Sequence, residues 1–375
     1  MKKILIINPY YYPGYRSGGP QQTFMNIVEA YGDKYNFFIL TLNHDLGCKK
    51  IYSNIHDEWN IVGKAKVKYV SEGEYTVSFI SKLANEMDLV YAGGLFEKTT
   101  IIAMAANRLN KIHCPFWIAP MGVFSEGAIQ QKKIKKKMFI TLGNIIGLFN
   151  NIMWSFTSEL ELKDFNLYMK SPKIYEIASD IPRKSNIEIS HKIKEKGNLK
   201  IIFLSRICHK KNLAYAIDII GKLNGNIIFD IYGTKESKDY WELCEKKLSE
   251  LPSNIQWAYN GEVEGSKTIS VFSQYDIFLF PTLGENFGHV IFEALAAGCV
   301  PVISDTTPWT DFEKKKCGYI VSLDNKKKFI SLIQNLVDAN SDCMSEMSKN
   351  AFNESKTIYE NSVINNGYIR IFDNY

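Results

Sequence analysis

The feature that most constrains the fold is an alternation, kept up along the whole chain, of short apolar runs with helix-period segments. Apolar runs stand at 3–8, 37–42, 89–91, 116–119 and 153–157, and again at 200–204, 227–232, 277–280 and 300–304. Helical spacing fills the gaps, at 21–31, 77–87, 99–108, 159–168, 213–223, 238–248 and 288–297, with further helices at 326–337 and 344–358. Strands that are apolar throughout and separated by helices are buried on both faces, which is the arrangement of a parallel, doubly wound sheet. A chain of 375 residues exceeds what one core organises, so two such domains are expected. The polar stretch 178–197, with Pro182 inside it, marks the division.

Composition excludes several classes. The chain is 46% apolar and 23% charged, as ordinary soluble proteins are. A net charge of +5 is too modest to imply nucleic acid, and neither an aromatic-and-basic RNA motif nor zinc-finger spacing is present. The seven cysteines form no C-x-x-C pair, which suits free thiols in a reducing compartment. The apolar run in the opening MKKILIIN is too short for a leader peptide, and Asn8-Pro9 closes it as a strand closes. No apolar stretch is long enough to span a bilayer. The expected location is the cytoplasm, or peripherally the inner face of a membrane.

The most informative stretch is 277–309, IFLFPTLGENFGHVIFEALAAGCVPVISDTTPW. It reads as a strand, a P-T-L-G turn, a helix from 288 to 297 stopped by Gly298, and a second strand. Glu285 and Glu293 flank the helix start with seven residues between them. Glu285 lies at the carboxyl end of a strand, where open α/β sheets bind ligands. A ligand resting on that helix end reaches both acids and the backbone N–H groups of Phe287 and Gly288. The segment E-N-F-G-H-V-I-F-E, followed by A-L-A-A-G-C-V-P-V-I-S, resembles the E-x7-E signature of the retaining family 4 glycosyltransferases. Those enzymes use nucleotide sugars and have the GT-B fold, two Rossmann-like doubly wound domains facing across a cleft. A helix cap plus an exposed helical acid is the alternative account; the aromatic, the glycine and the G-C-V-P-V-I tail in register weigh against it.

The resemblance extends along the chain. After the run at 200–204 comes S-R-I-C-H-K-K-N-L, similar to the family's G-R-x-x-x-x-K-G element with Ser205 and Asn212 in place of the glycines. It implies that Arg206 and Lys211 hold the donor diphosphate. Negative charge grows on that leaving group as the glycosidic bond breaks, and enzymes without a metal meet it with fixed cations and a helix amino terminus. In the first half, S-G-G-P at 17–20 separates a strand from a helix. Such glycines let backbone N–H groups approach an anion, although a tight turn uses them equally; the resemblance implies that Gly18 and Gly19 face diphosphate and acceptor. Gly261-Glu262-Val263 resembles the loop whose backbone meets the nucleobase, which makes Val263 a donor-binding residue. Many family members carry a histidine near the segment YAGGLF at 91–96, and this chain has none there, so no acceptor residue is carried over. His209 and His289 lack metal-ligand spacing, and no metal or other cofactor is expected. Ser179-Asp180-Ile181-Pro182 resembles the family's exit from the first domain. The expected division is an acceptor domain at 1–180, a linker at 181–198, a donor domain at 199–360, and a helix at 361–375 returning to the first domain.

Residues 130–149, QQKKIKKKMFITLGNIIGLF, carry the strongest charge run. Lys132, Lys133, Lys135, Lys136 and Lys137 cluster beside Ile134, Met138, Leu142, Ile145 and Phe149 at helical spacing. Two readings stand. The apolar stripe faces the domain core and the lysines are merely solvated, or the helix binds an anionic membrane surface, each cation contributing ~1 kcal/mol.

The expectation for the whole is a metal-independent, retaining hexosyltransferase that moves a sugar from a UDP- or GDP-linked donor to an acceptor hydroxyl. Glu285 is assigned to the sugar, Glu293 to the ribose hydroxyls, Arg206 and Lys211 to the diphosphate, and Asn286, Phe287 and Gly288 to the sugar pocket. The implied acceptor is a glycan or a polyprenyl-linked glycan in bacterial surface-polysaccharide synthesis. A nucleotide-sugar epimerase of the same fold and a non-catalytic nucleotide-binding or membrane-associated protein are the other two classes. Donor base, sugar identity and linkage are not legible, because base contacts in this family run through the backbone.

Overall fold

The structure, a computed structural model, describes residues 1–130, 133–185 and 194–375. The chain divides into two compact units, Met1–Ile181 with Asn361–Tyr375, and Pro182–Glu360. Each is an α/β domain built on a largely parallel sheet.

Unit 1 contains β1 (Lys3–Ile7), β2 (Asn36–Leu42), β3 (Asn60–Val62), β4 (Ala65–Val70), β5 (Leu89–Gly93), β6 (Phe116–Ala119), β7 (Met153–Phe156) and β8 (Tyr175–Ile177). Their order is β3-β4-β2-β1-β5-β6-β7-β8, parallel except for the antiparallel β3–β4 pair at one edge. Ile4, Leu5, Ile6 and Ile7 are all fully buried, because helices cover both faces of the central strand. The C-terminal helix Gly367–Asn374 belongs to this unit. Phe372 packs edge-on against Tyr31, Tyr35, Phe37 and Tyr91, and the Tyr35 hydroxyl donates to Asp373 at 2.7 Å. The helix starts at Gly367, where an added Cβ would lie 2.1 Å from the Ile177 carbonyl oxygen.

Unit 2 contains β9 (Asn198–Leu204), β10 (Asn226–Tyr232), β11 (Ile255–Tyr259), β12 (Ile277–Phe280), β13 (Val300–Ser304) and β14 (Tyr319–Val321), in the order β11-β10-β9-β12-β13-β14 and parallel throughout. Strand order reverses between β9 and β12, so the loops leaving these two neighbours form the topological switch point. Near the start of the unit, the ammonium of Lys194 donates to the carbonyls of Val337 and Ala339, at 2.8 Å each. Those carbonyls close the helix Lys326–Asp338, where a cation is favourable.

Three departures from the sequence-based expectation stand out. Strands β3, β4, β8, β11 and β14 were not expected: three of them have only three residues, too few for a period, lysines alternate through β4, and β11 falls in a segment read as a loop. The helix expected at 77–87 ends at Ala84. The third concerns the basic segment, where the core-facing reading of its apolar stripe is overturned. In the helix Lys133–Ile145 the buried residues are Ile140 and Gly143. Phe139 packs on the rings of Phe96 and Phe149, and Lys136 turns inward to donate to the Ala128 carbonyl at 2.7 Å. Ile134, Met138, Leu142 and Ile145 are therefore on the outside, 76%, 58%, 55% and 74% exposed. Lys133, Lys135 and Lys137 are exposed beside them, and Lys132 lies outside the described residues.

Candidate functional site

The switch point of unit 2 is laced together by backbone and side-chain hydrogen bonds between the loops following β9 and β12. Leu283 N–H donates to the Lys210 carbonyl at 2.8 Å, and the Asn212 side-chain amide donates to the Pro281 carbonyl at 2.9 Å. Asn212 holds φ = 60°, a left-handed conformation that favours glycine and that Asn tolerates better than most residues. Gly233, at the end of β10, passes so close to this loop that a Cβ would stand 1.8 Å from the Ser205 carbonyl oxygen.

This lacing brings Lys211 and Glu285, which are 74 residues apart in sequence, into a direct ion pair. Their side chains are only 12% and 11% exposed. Thr282, fully buried, holds the arrangement. Its hydroxyl lies 3.1 Å from both the Glu285 carboxylate and the Lys210 carbonyl, and its own carbonyl accepts from Ser304 at 2.6 Å and Thr306 at 2.7 Å. The Lys211 ammonium also lies over the Phe280 ring, 5.4 Å from its centroid. Arg206 leaves the end of β9 more exposed and pairs with Glu236 at 3.0 Å. Next to them the Lys210 ammonium is pushed below its ordinary range, first by burial, with Lys211 and Arg206 adding repulsion and Glu285 opposing it.

The helix expected from Gly288 runs His289–Ala296, with Gly288 as its cap at φ = 79°. The Phe287 carbonyl accepts from Trp309 Nε1 at 2.5 Å, and its ring packs on Trp309 and His289 with centroids 5.2 and 4.9 Å away. Asn286 is exposed beside them. Glu293, in the second turn of the helix, is 7% exposed. Burial pushes its carboxyl up to about 7, against the pull of the Arg183 guanidinium. His289 is pushed the other way, down to about 4, by burial and then by Arg183, so its imidazole is neutral at pH 7. Val263 is half-buried in the loop after β11, where the Gly261 carbonyl accepts from Gly233 N–H at 2.7 Å. Arg206, Lys211, Val263, Glu285 to Gly288 and Glu293 thus all occupy the carboxyl-end loops and helix start of one sheet.

Gly18 and Gly19 belong to unit 1. Gly18, at φ = 70°, caps the helix Gly19–Tyr31, and nothing stands within 4 Å of where a side chain on either glycine would project. The loop before them is fixed by Asp45, whose carboxylate accepts from the N–H groups of Tyr15 and Arg16 at 3.0 and 3.3 Å. Sequence reading missed Asp45, Thr282 and Arg183. Thr282 offers only a hydroxyl directly after an apolar strand, and the other two act across sequence gaps that carry no motif.

Residues 185–354 match the family model described as Glycosyl transferases group 1. Over 262 residues the chain is 24% identical to an uncharacterized 41.2 kDa protein in the cps region of Klebsiella pneumoniae, covering 65% of this chain and 67% of that one. Over 107 residues it is 30% identical to an uncharacterized glycosyltransferase of Methanocaldococcus jannaschii, an alignment of 28% of this chain and only 26% of that protein. The crystal structure of Anabaena HepE in complex with UDP-glucose superposes with a TM-score of 0.67 at 15% identity, covering 96% of this chain and 98% of that one. The chain has the GT-B fold, and the match over residues 185–354 together with that fold supports a glycosyltransferase.

Proposed function

We propose that the protein is a retaining, metal-independent hexosyltransferase of family 4, using a UDP- or GDP-linked sugar. The observation that carries this reading is the buried Lys211–Glu285 pair at the switch point of unit 2, with Glu293 on the adjoining helix. A cation and two carboxylates beside a helix start suit a ligand with three parts: a diphosphate, a sugar and a ribose. Lys211 and Arg206 stabilise the diphosphate as negative charge develops on it. Glu285, held by Lys211 and Thr282, bonds the sugar hydroxyls and stabilises the oxocarbenium character of the transition state. Glu293 accepts from the ribose hydroxyls, and Phe287 and Gly288 shape the pocket through backbone groups. The UDP-glucose bound by HepE favours uridine as the base, and the cps-region relative favours a surface glycan as the acceptor. Calorimetric titration with UDP, GDP and ADP, without added metal, tests the donor site. One nucleotide is expected to bind, and Arg206→Ala to weaken it about tenfold, the loss of one charge-assisted contact. No binding by folded protein would end this reading.

The outward stripe of the helix Lys133–Ile145 supports membrane contact on the cytoplasmic face, with a polyprenyl-linked glycan as acceptor. Exposed apolar side chains flanked by lysines fit an anionic leaflet by both burial and charge. No helix among the described residues is long and apolar enough to cross the membrane. Sedimentation with phosphatidylglycerol vesicles is expected to retain the protein, and phosphatidylcholine vesicles to retain little. Ile134→Ser with Ile145→Ser should weaken retention at least tenfold, since each buried aliphatic side chain contributes ~1.5–3 kcal/mol. Equal retention by both vesicle types would remove the electrostatic part of the proposal.

A further inference from the structure

Unit 1 holds a cavity of about 810 Å³, within the ~300–1,000 Å³ usual for ligand pockets. It lies at the carboxyl ends of three parallel strands. Tyr12 and Pro13 follow β1, the lining residues between 45 and 55 follow β2, and Tyr69 stands near the end of β4. Open α/β sheets bind their ligands at such ends. The walls are fixed by hydrogen bonds within the unit. His44 and Ile51 form an antiparallel bridge, Tyr52 N–H donates to the Asn43 carbonyl at 2.9 Å, and the Tyr69 hydroxyl donates to the Tyr12 carbonyl. The Asn60 amide exchanges hydrogen bonds with both backbone groups of His56, at 2.9 Å each. Asp45 lines the cavity and also anchors the loop that ends at Gly18, so the two share one support.

The lining names a class of ligand. Tyr12, Tyr52, Trp59 and Tyr69 all contribute to it. Tyr12 is 52% exposed, and Trp59 is half-buried, packed edge-on against Phe38 with centroids 5.1 Å apart. Lys50, Ser53, Asn54 and His56 add exposed polar groups. The Tyr52 hydroxyl is buried with no hydrogen-bond partner among the described residues, a state that a ligand carrying hydroxyls can relieve. A sugar suits this combination. Its C–H faces stack on the electron-rich faces of aromatic rings, and its hydroxyls both donate and accept. A phosphate group suits it poorly, because Lys50 is the one Lys or Arg among the described residues of the lining and Asp45 adds a carboxylate.

We propose that this cavity binds a saccharide, which stacks on Tyr12 and Trp59 and bonds to the polar groups around them. The residues assigned to the donor belong to unit 2, so on the transferase reading above, on which this clause rests, the saccharide is part of the acceptor. The full chain, labelled with 15N at its tryptophan indoles, is titrated by NMR with methyl glycosides of glucose, galactose, mannose, rhamnose, N-acetylglucosamine and glucuronic acid, and with their disaccharides. The Trp59 signal is identified by its loss in Trp59→Phe. At least one saccharide is expected to shift it saturably. Trp59→Ala should weaken that binding about tenfold and Tyr12→Ala about threefold, the loss of one stacking contact each, with UDP and GDP binding within about twofold of the unsubstituted protein. If loss of Trp59 disturbs Phe38, the exposed Tyr12 decides alone. A Trp59 signal that no saccharide moves overturns the proposal, and so does saccharide binding that Tyr12→Ala leaves unchanged. With sugar nucleotides of whichever base binds, the bound saccharide should be glycosylated; one that binds and is never glycosylated overturns its place in the acceptor. If the protein binds a saccharide here and neither UDP nor GDP, the donor-site reading fails and the cavity assignment stands.

Discussion

Replacing Glu285 by Gln is expected to lower sugar transfer about a thousandfold, ~4 kcal/mol of transition-state stabilisation, while nucleotide affinity stays within about threefold. The split follows from where charge appears. In the bound donor the sugar is neutral, so the carboxylate contributes hydrogen bonds that an amide largely reproduces. In the transition state the anomeric carbon becomes positive, and only the charged form stabilises it. The surroundings suit an isosteric change: Thr282 and Lys211 both place donors on this side chain, and an amide oxygen still accepts from both. Initial rates of transfer, read beside calorimetric nucleotide binding, check both halves. Transfer at the unsubstituted rate would remove Glu285 from the chemistry.

Lys211→Ala is expected to have two large consequences. The change leaves Glu285 mostly buried without its cation, and breaking one side of such a pair costs ~3–5 kcal/mol. Unit 2 should therefore unfold at markedly lower urea. Diphosphate affinity should also fall, by about a hundredfold, more than for the exposed Arg206, because a desolvated cation interacts more strongly. The double variant Lys211→Ala with Glu285→Gln separates the effects. It should regain most of the stability, since no uncompensated charge stays buried, and regain no transfer. Stability losses that simply add would show that the two side chains are not coupled.

What could be read in advance follows from how far apart the cooperating residues lie. The β12–helix–β13 unit is continuous, so the covalent spacing of Glu285 and Glu293 already places one acid before the helix and the other in its second turn. Arg206 and Lys211 were legible for the same reason, in one loop directly after an apolar strand. Thr282 and the Asn212 amide were harder to read, because their partners sit on a different loop. Arg183 and Asp45 were not legible at all: a lone Arg and a lone Asp in polar segments resemble any solvated side chain. The outward stripe on the Lys133–Ile145 helix shows the same limit, since periodicity reveals an apolar face but not which way the helix is rolled.

By itself the sequence determined that apolar strands alternate with helices, that two doubly wound sheets result, and that a carboxylate pair brackets a helix start. Those properties are local, set by period and covalent spacing. Only the tertiary structure decided that β9 and β12 are neighbours, and hence that Lys211 meets Glu285 across 74 residues of chain. Strand order is chosen by how whole elements pack, and no single segment carries that information.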